Sequence, residues 1–274
     1  MKPDFASIIK GGTAYNFHTH TQYCDGRDDM ERMATMALAL GFGHIGFTPH
    51  SPVPIESPCN MSVADVRDYM TRVDALARNA AGRCRFYAGM EIDYLGPQWG
   101  PSAAYFGDLG LDFCIGSVHF IPAQNGKLID IDGHYDRFAR NMHDHFRDDL
   151  RYVVTCYFEQ SMAMLAAGHF DILGHFDKIA QNASYHCADI EQQGWYNDLL
   201  ETYIRQIIGS GVWVEVNTKA RAEHRRFFPH ERLWPRLVDA GVPLLVNSDA
   251  HYAARLNASR DEALDILHTA GYEA

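Results

Sequence analysis

The sequence predicts an α/β barrel, and three observations carry that expectation. Seven short, nearly continuous apolar runs recur along the 274 residues, each bounded by Gly or Pro, as strands buried on both faces read. Helical 3–4 patterns separate most of them, and strand alternating with helix means parallel βα units. No G-x-G-x-x-G follows the first run, which disfavours an open dinucleotide-binding sheet.

The runs are Tyr15–His18, His44–Thr48, Cys84–Glu91, Phe113–His119, Phe170–His175, Val212–Asn217 and Pro243–Ser248. A helix is expected over 28–40, where Met30, Met33, Ala34 and Ala37 form one stripe after Asp28 and Asp29 and Gly41 closes it. A second, over 63–80, follows Ser62 with Asp65 three positions on, a capping-box arrangement, and buries Val66, Tyr69, Met70, Val73 and Leu76. A third spans 195–208, with shorter patterns at 231–239 and 259–269. The segment 121–169 is too long for a loop alone and predicts a partly helical insertion covering one barrel mouth. With no linker or repeat, residues 1–274 read as one domain.

Composition narrows the function. Hydrophobic residues at 47% and charged residues at 22% exclude a disordered or collagen-like chain. Lys+Arg 24 against Asp+Glu 35 leave a net charge of −11, which argues against non-specific binding to nucleic acid or anionic membrane. No apolar stretch approaches the roughly 18 residues a span needs, and the N-terminus lacks the pattern of a signal peptide. The six cysteines contain no C-x-x-C pair, which suits free thiols in a reducing compartment; a cytoplasmic location is expected. Nothing in the composition specifies an oligomer. The unusual count is 15 histidines.

Most of the informative histidines fall at strand ends. His18 and His20 close the first run as His-x-His, His50 follows the second, and Glu91 ends the third. His119 ends the fourth, His175 the fifth and Asn217 the sixth, while Asp249 and His251 follow the seventh. Six of the seven strands thus deliver a metal-ligand side chain to the C-terminal face, where barrels build their sites. Residues i and i+2 of a strand point the same way, so the two imidazoles of His-x-His can converge on one ion. Glu91 can bridge two ions, and Asp249 supplies charge. This mix of imidazole and carboxylate suits Zn, Mn or Fe rather than Ca or Mg. His44 starts a strand on the opposite face and is read as structural, as are His143, His145, His224, His230 and His268; for His134, His169 and His186 the choice stays open, with the structural reading favoured.

With these residues in place, the chain resembles the PHP (polymerase and histidinol phosphatase) superfamily, and within it the histidinol-phosphatase branch. The motifs run in order: F-H-T-H (17–20), C-D-G (24–26), F-T-P-H (47–50), G-M-E (89–91), G-S-V-H-F (116–120), D-I-L-G-H-F-D (171–177), E-V-N-T (215–218) and N-S-D-A-H (247–251). The resemblance implies a distorted (β/α)7 TIM-like barrel with a trinuclear metal centre of Zn, Fe or Mn. One ion would take His18, His20, Glu91 and Asp249. A second would share Glu91 and take His119 and His175. A third would take Asp25, His50 and His251. The Asp25 slot is often histidine in relatives, and oxygen there implies a weaker site or a harder ion.

The activity implied is hydrolysis of a small phosphomonoester, L-histidinol phosphate in histidine biosynthesis. Paired ions would activate a water for in-line attack and offset charge on the phosphate. Glu91 and Asp249 would serve the reacting centre, and His251 could act as general acid if it is not a ligand. The segment after the sixth strand usually runs Asn-Thr/Ser-Ser-Gly-Leu-Arg in this branch; here it reads Asn217-Thr218-Lys219-Ala220-Arg221. Lys178, Lys219, Arg221 and Arg225 are candidate phosphate contacts, arginine being the better bidentate clamp. Asp130, Asp132 and His134 could face an imidazole or amine on the substrate. Competing readings are another small phosphomonoester, a non-catalytic PHP module with a structural metal site, and an amidohydrolase, which would normally need eight strands.

Overall fold

A computed structural model describes residues 2–80 and 82–272. Tyr15–Asn16 (β1), His44–Phe47 (β2) and Arg85–Ala88 (β3) pair in parallel in that order. Glu91–Asp93 (β4) and Ile115–Ser117 (β5) begin a second sheet. A hairpin of Phe120–Pro122 (β6) and Leu128–Asp130 (β7) stands apart. Ile172–Leu173 (β8), Trp213–Asn217 (β9) and Leu244–Asn247 (β10) complete the second sheet, all parallel, in the order β10-β9-β8-β5-β4.

The two sheets join at both edges. A parallel bridge links Thr19 to Ala250, with His20 N donating to Ala250 O at 2.9 Å. Another links His50 to Glu91, with Ser51 N donating to Glu91 O at 2.8 Å and Glu91 N to Pro49 O at 3.1 Å. The result is a distorted barrel of eight short strands from seven stretches of chain, β3 and β4 being two pieces of one, closed at its seams by residues just past the strand ends.

All seven expected strands are present; six are shorter than their apolar runs, and the third continues past its run to Asp93 in two pieces. The run Cys84–Glu91 is interrupted: β3 pairs with β2, and β4 pairs with β5. Packing explains the break. A Cβ on Gly89 would come within 2.7 Å of the Phe113 ring and 2.8 Å of Thr48 Cγ2, so the backbone lies against side chains that fill the interior.

The expected helices form at Met30–Ala39, Val66–Asn79, Gly194–Ser210, Trp234–Asp239 and Arg260–Thr269. Asp29 caps the first through Arg32 N, and Ser62 accepts from Asp65 N as the capping box requires. Helices at Phe5–Lys10, Ala104–Gly107, Ile179–His186 and Arg221–His224 were not anticipated. The first places Phe5 against Phe17 and Phe113, with ring centroids 4.8 and 5.8 Å apart, in the aromatic core with Ile115, Ile172 and Leu245. Burying such a ring contributes about 1.5–3 kcal/mol.

Within 121–169 lie most of the β6–β7 hairpin and the helices Tyr135–Phe146 and Leu150–Ala167. The longer helix packs on Gly194–Ser210, bringing Phe158 beside Tyr196 and Tyr203. The hairpin adjoins the strand ends, where Ile131 N donates to His119 O at 2.9 Å. All six cysteines are free thiols; Cys84 is buried and the others half-buried. No helix among the described residues is long and apolar enough to cross a membrane.

Candidate metal centre

The strand-end side chains converge on Glu91, which is 1% exposed. Glu91 Oε2 lies 3.2 Å from His18 Nε2, 3.5 Å from His20 Nε2 and 3.0 Å from His50 Nδ1. Its other oxygen lies 2.9 Å from His175 Nε2 and 3.5 Å from His119 Nε2, and accepts from Ser117 Oγ at 2.7 Å. One carboxylate thus meets imidazoles from five places in the chain.

Asp249 adjoins this cluster, with Oδ1 3.0 Å from His20 Nε2 and 3.4 Å from His251 Nδ1. Its backbone is left-handed, φ 49°, a conformation Asp tolerates better than most residues. The bridge at Ala250 and a hydrogen bond from Asn217 Nδ2 to Asp249 Oδ2 (3.1 Å) hold it there. Asp25 Oδ1 lies 3.2 Å from His251 Nε2 and 3.7 Å from His50 Nε2. The adjoining Gly26 is required by close approach, since a Cβ there would fall 2.3 Å from Thr21 N.

All nine residues named from the sequence are therefore brought together. Eight of them supply donor atoms to the groups His20–Asp25–His50–His251, His18–Glu91–His175 and His18–His20–Asp249, each within 4.8 Å. A fourth group, His50–Asp93–His119, includes a carboxylate the sequence reading passed over. Asp93 Oδ1 accepts from His119 Nδ1 at 2.7 Å. Glu215, also passed over, is fully buried and accepts from His18 Nδ1 at 2.6 Å. Both left a signal: Asp93 shares a strand face with Glu91 at i+2, and Glu215 is a carboxylate inside an apolar run.

The donor set fits divalent ions. His18 Nε2, His20 Nε2, Asp25 Oδ1, His50 Nδ1 and Glu91 Oε2 are all buried without a hydrogen-bond partner, although buried polar groups are nearly always satisfied. Imidazole nitrogen with carboxylate oxygen suits Zn, Mn or Fe.

Mutual electrostatics are strong. Burial pushes the Glu91 carboxyl up, but His18, His50 and His119 outweigh it and hold the group well below the usual range. Burial likewise opposes ionisation of Asp249, and Lys219 and His18 reverse that. At His20 burial dominates, with His251 and His50 adding to it, so the imidazole favours its neutral form.

The basic residues divide. Lys178 is largely buried beside the site, with Nζ 2.8 Å from Asp132 Oδ2. Lys219 Nζ lies 3.2 Å from Asp249 Oδ1 and 3.3 Å from His251 Nε2. Arg221 does not join them. Its Nε donates to Glu262 Oε1 at 2.9 Å, its Nη1 to Arg225 O at 3.0 Å, and it lies over the Phe227 ring. The Arg225 side chain is exposed and takes no part in the cluster. Asp130 is already paired with Arg137 at 2.7 Å, and His134 is exposed at a helix start. His44 meets Tyr87 OH at 2.8 Å, away from the cluster.

The chain is similar to proteins of known name and structure. The chain is 24% identical over 260 residues to a probable histidinol-phosphatase of Deinococcus radiodurans, covering 93% of this chain and 92% of that protein. It is 23% identical over 275 residues to the histidinol-phosphatase of Bacillus subtilis, covering 90% and 97%. Among solved structures, a Listeria monocytogenes protein superposes with TM-score 0.78 at 17% identity, covering 90% of this chain and 99% of that one. The histidinol phosphate phosphatase of Lactococcus lactis, solved with zinc, L-histidinol and phosphate, gives 0.69 at 17% identity over 95% of each chain. The sequence model of the PHP domain matches residues 16–219, most of the barrel and all but two of the clustered residues, and the chain belongs to the PHP domain family.

Proposed function

We propose that the protein is a metal-dependent phosphomonoesterase acting on L-histidinol phosphate, releasing histidinol and phosphate, in the cytoplasm. One observation carries the reading: five buried donor atoms of His18, His20, Asp25, His50 and Glu91 converge with no hydrogen-bond partner. In this reading His18, His20, Glu91 and Asp249 hold one ion, Glu91, His119 and His175 a second, and Asp25, His50 and His251 a third. Bound there, divalent ions supply an activated water and offset charge on the phosphate oxygens. The names of the Deinococcus and Bacillus relatives and the ligands of the Lactococcus structure support this choice.

The protein's own groups divide the remaining work. Glu91 and Asp249 keep their carboxylates ionised, supplying negative charge that neutral imidazoles cannot. Lys178 and Lys219 flank the cluster, paired with Asp132 and Asp249, and each ammonium keeps further N–H donors with which to meet an incoming phosphate. His251 lies 3.2 Å from Asp25 Oδ1 and 3.3 Å from Lys219 Nζ, which places this ligand of the third ion next to the lysine that would meet the phosphate. We read residues 1–274 as one barrel domain, with 121–169 as its cover and Asp130–Gly133 at the rim.

A second reading, another small phosphomonoester, has its own support. Asp130 and Asp132, the carboxylates that could meet the substrate's amine, are already engaged, the first by Arg137 and the second by Lys178. Phosphate release from histidinol phosphate and a panel of phosphomonoesters, with Mn, Zn and Fe in turn, separates the readings. Turnover lost in excess chelator and restored by one of these ions is the expected result. Full activity after metal removal would sink the metal-dependent mechanism.

A further inference from the structure

We propose that Glu215 and Asp93 are positioning residues that fix His18 and His119 with their Nε2 atoms turned towards Glu91; this rests on the metal-centre reading above. Three carboxylates at the core of the site are equally buried, Glu91 and Asp93 at 1% and Glu215 at 0%, yet their hydrogen bonding differs. Glu91 Oε2 has no hydrogen-bond donor. Glu215 has four: Oε1 accepts from His18 Nδ1 (2.6 Å) and Asn247 Nδ2 (3.1 Å), and Oε2 from His175 N (3.1 Å) and Asn217 Nδ2 (3.0 Å). Asp93 Oδ1 accepts from His119 Nδ1 (2.7 Å), and Oδ2 from Asn60 Nδ2 (2.9 Å).

A buried carboxylate with a bare oxygen invites a cation; one with both oxygens engaged is already satisfied. Asp93 groups with His50 and His119 by distance, but its hydrogen bonding assigns it the supporting role. The donors on Glu215 come from β9 and from segments at the ends of β1, β8 and β10, so its carboxylate is fixed by four neighbouring strands. That fixes the His18 ring in turn. An imidazole anchored through Nδ1–H cannot flip about its ring axis and must present the Nε2 lone pair, here 3.2 Å from Glu91 Oε2. His119 repeats the device on the opposite oxygen of Glu91, its Nε2 lying 3.5 Å from Oε1. The two backing carboxylates thus orient imidazoles on either side of one shared acid.

The test is zinc affinity of the full chain, by competition with a chromophoric chelator, for wild type, Glu215→Gln, Asp93→Asn and Asp177→Asn. Asp177 is equally buried and its Oδ1 has no partner, but Arg226 already supplies its counter-charge and the His230 amide its second donor, so it reports the effect of losing a buried carboxylate that a fixed cation already balances. The first two variants are expected to lose about 10- to 100-fold in affinity, while Asp177→Asn binds as wild type does. Ring-nitrogen NMR of the zinc-loaded wild type should show a slowly exchanging proton on Nδ1 of both His18 and His119. Folded variants with unchanged affinity, or metal on Nδ1 of either ring, would overturn the proposal. If Glu215→Gln does not fold, Asp93→Asn and the wild-type spectrum decide. A wild type that takes up no zinc, manganese or iron defeats the metal-centre reading itself, and this inference with it.

Discussion

Lys178 Nζ lies 2.8 Å from Asp132 Oδ2, and the pair is held between the β6–β7 segment and the end of β8. Burial opposes the ammonium charge, but Asp132 foremost, then Asp249 and Glu91, hold its pKa above the ordinary lysine value. Lys178 therefore stays charged across the working pH range. Lys178→Met is expected to raise KM for a phosphomonoester about tenfold or more, the worth of one charge-assisted contact. Steady-state phosphate release checks this, and an unchanged KM would remove Lys178 from the phosphate site.

Glu91 is the most heavily shared group of the cluster. Glu91→Gln keeps the volume and removes the charge that faces five imidazoles. Turnover is expected to fall about 10³-fold, with bound metal per chain falling alongside it. Elemental analysis after desalting, paired with the rate, reads both.

Arg221 and Arg225 provide the contrast. Arg221 is taken up by Glu262 and Phe227, so Arg221→Ala should cost about 1 kcal/mol of stability or less and leave KM unaltered. Arg225→Ala should change neither. A rise in KM for either variant would restore it to the substrate site.

Away from the cluster, Glu191 offers a pH test. Burial pushes its carboxyl up, but the hydrogen bonds from Arg226 (2.8 and 3.0 Å) and the Arg226 charge outweigh this and hold it below the ordinary value of 4.5. A depressed folded pKa contributes stability that is present above 4.5 and lost as pH falls through the folded value. Urea unfolding of wild type and Glu191→Gln should therefore differ most at pH 6–7 and converge on acidification. A gap independent of pH would assign the effect to packing instead.

Phe5 gives a prediction about the opposite end of the barrel. Truncation to Ala leaves a hole beside Phe17, Phe113 and Trp213 and should cost about 3–5 kcal/mol. Thermal unfolding checks the loss. Metal uptake at low temperature should persist, because the clustered side chains lie at the other mouth.

What the sequence made legible were residues whose chemistry is carried by type and placement. His18, His20, His50, Glu91, His119, His175, Asp249 and His251 follow apolar runs, and parallel strands send such positions to one face. Glu215 and Asp93 escaped notice because a carboxylate inside a strand looks like an interruption until its donors are known, and those donors are up to 197 residues away. The break at Gly89 depends on Phe113, and the fate of Arg221 on Glu262, neither a neighbour in the chain. The β6–β7 turn did carry a local signal, Asn125-Gly126 flanked by Gln124 and Lys127 between the apolar stretches 120–123 and 128–129; its place inside a long insertion obscured it. The helix Phe5–Lys10 is too short for periodicity to announce it.

The seams of the barrel have a mechanical consequence. Ala250, the residue between Asp249 and His251, is bridged to Thr19, the residue between His18 and His20, and His50 is bridged to Glu91 itself. The ring is thus fastened where it would be loaded. Any cation gripping these side chains would act as a rivet across both joints, so opening the joints would release it. Unfolding rate and ligand off-rate would then be two readings of one event, and each should be measured at a stated free-ion concentration.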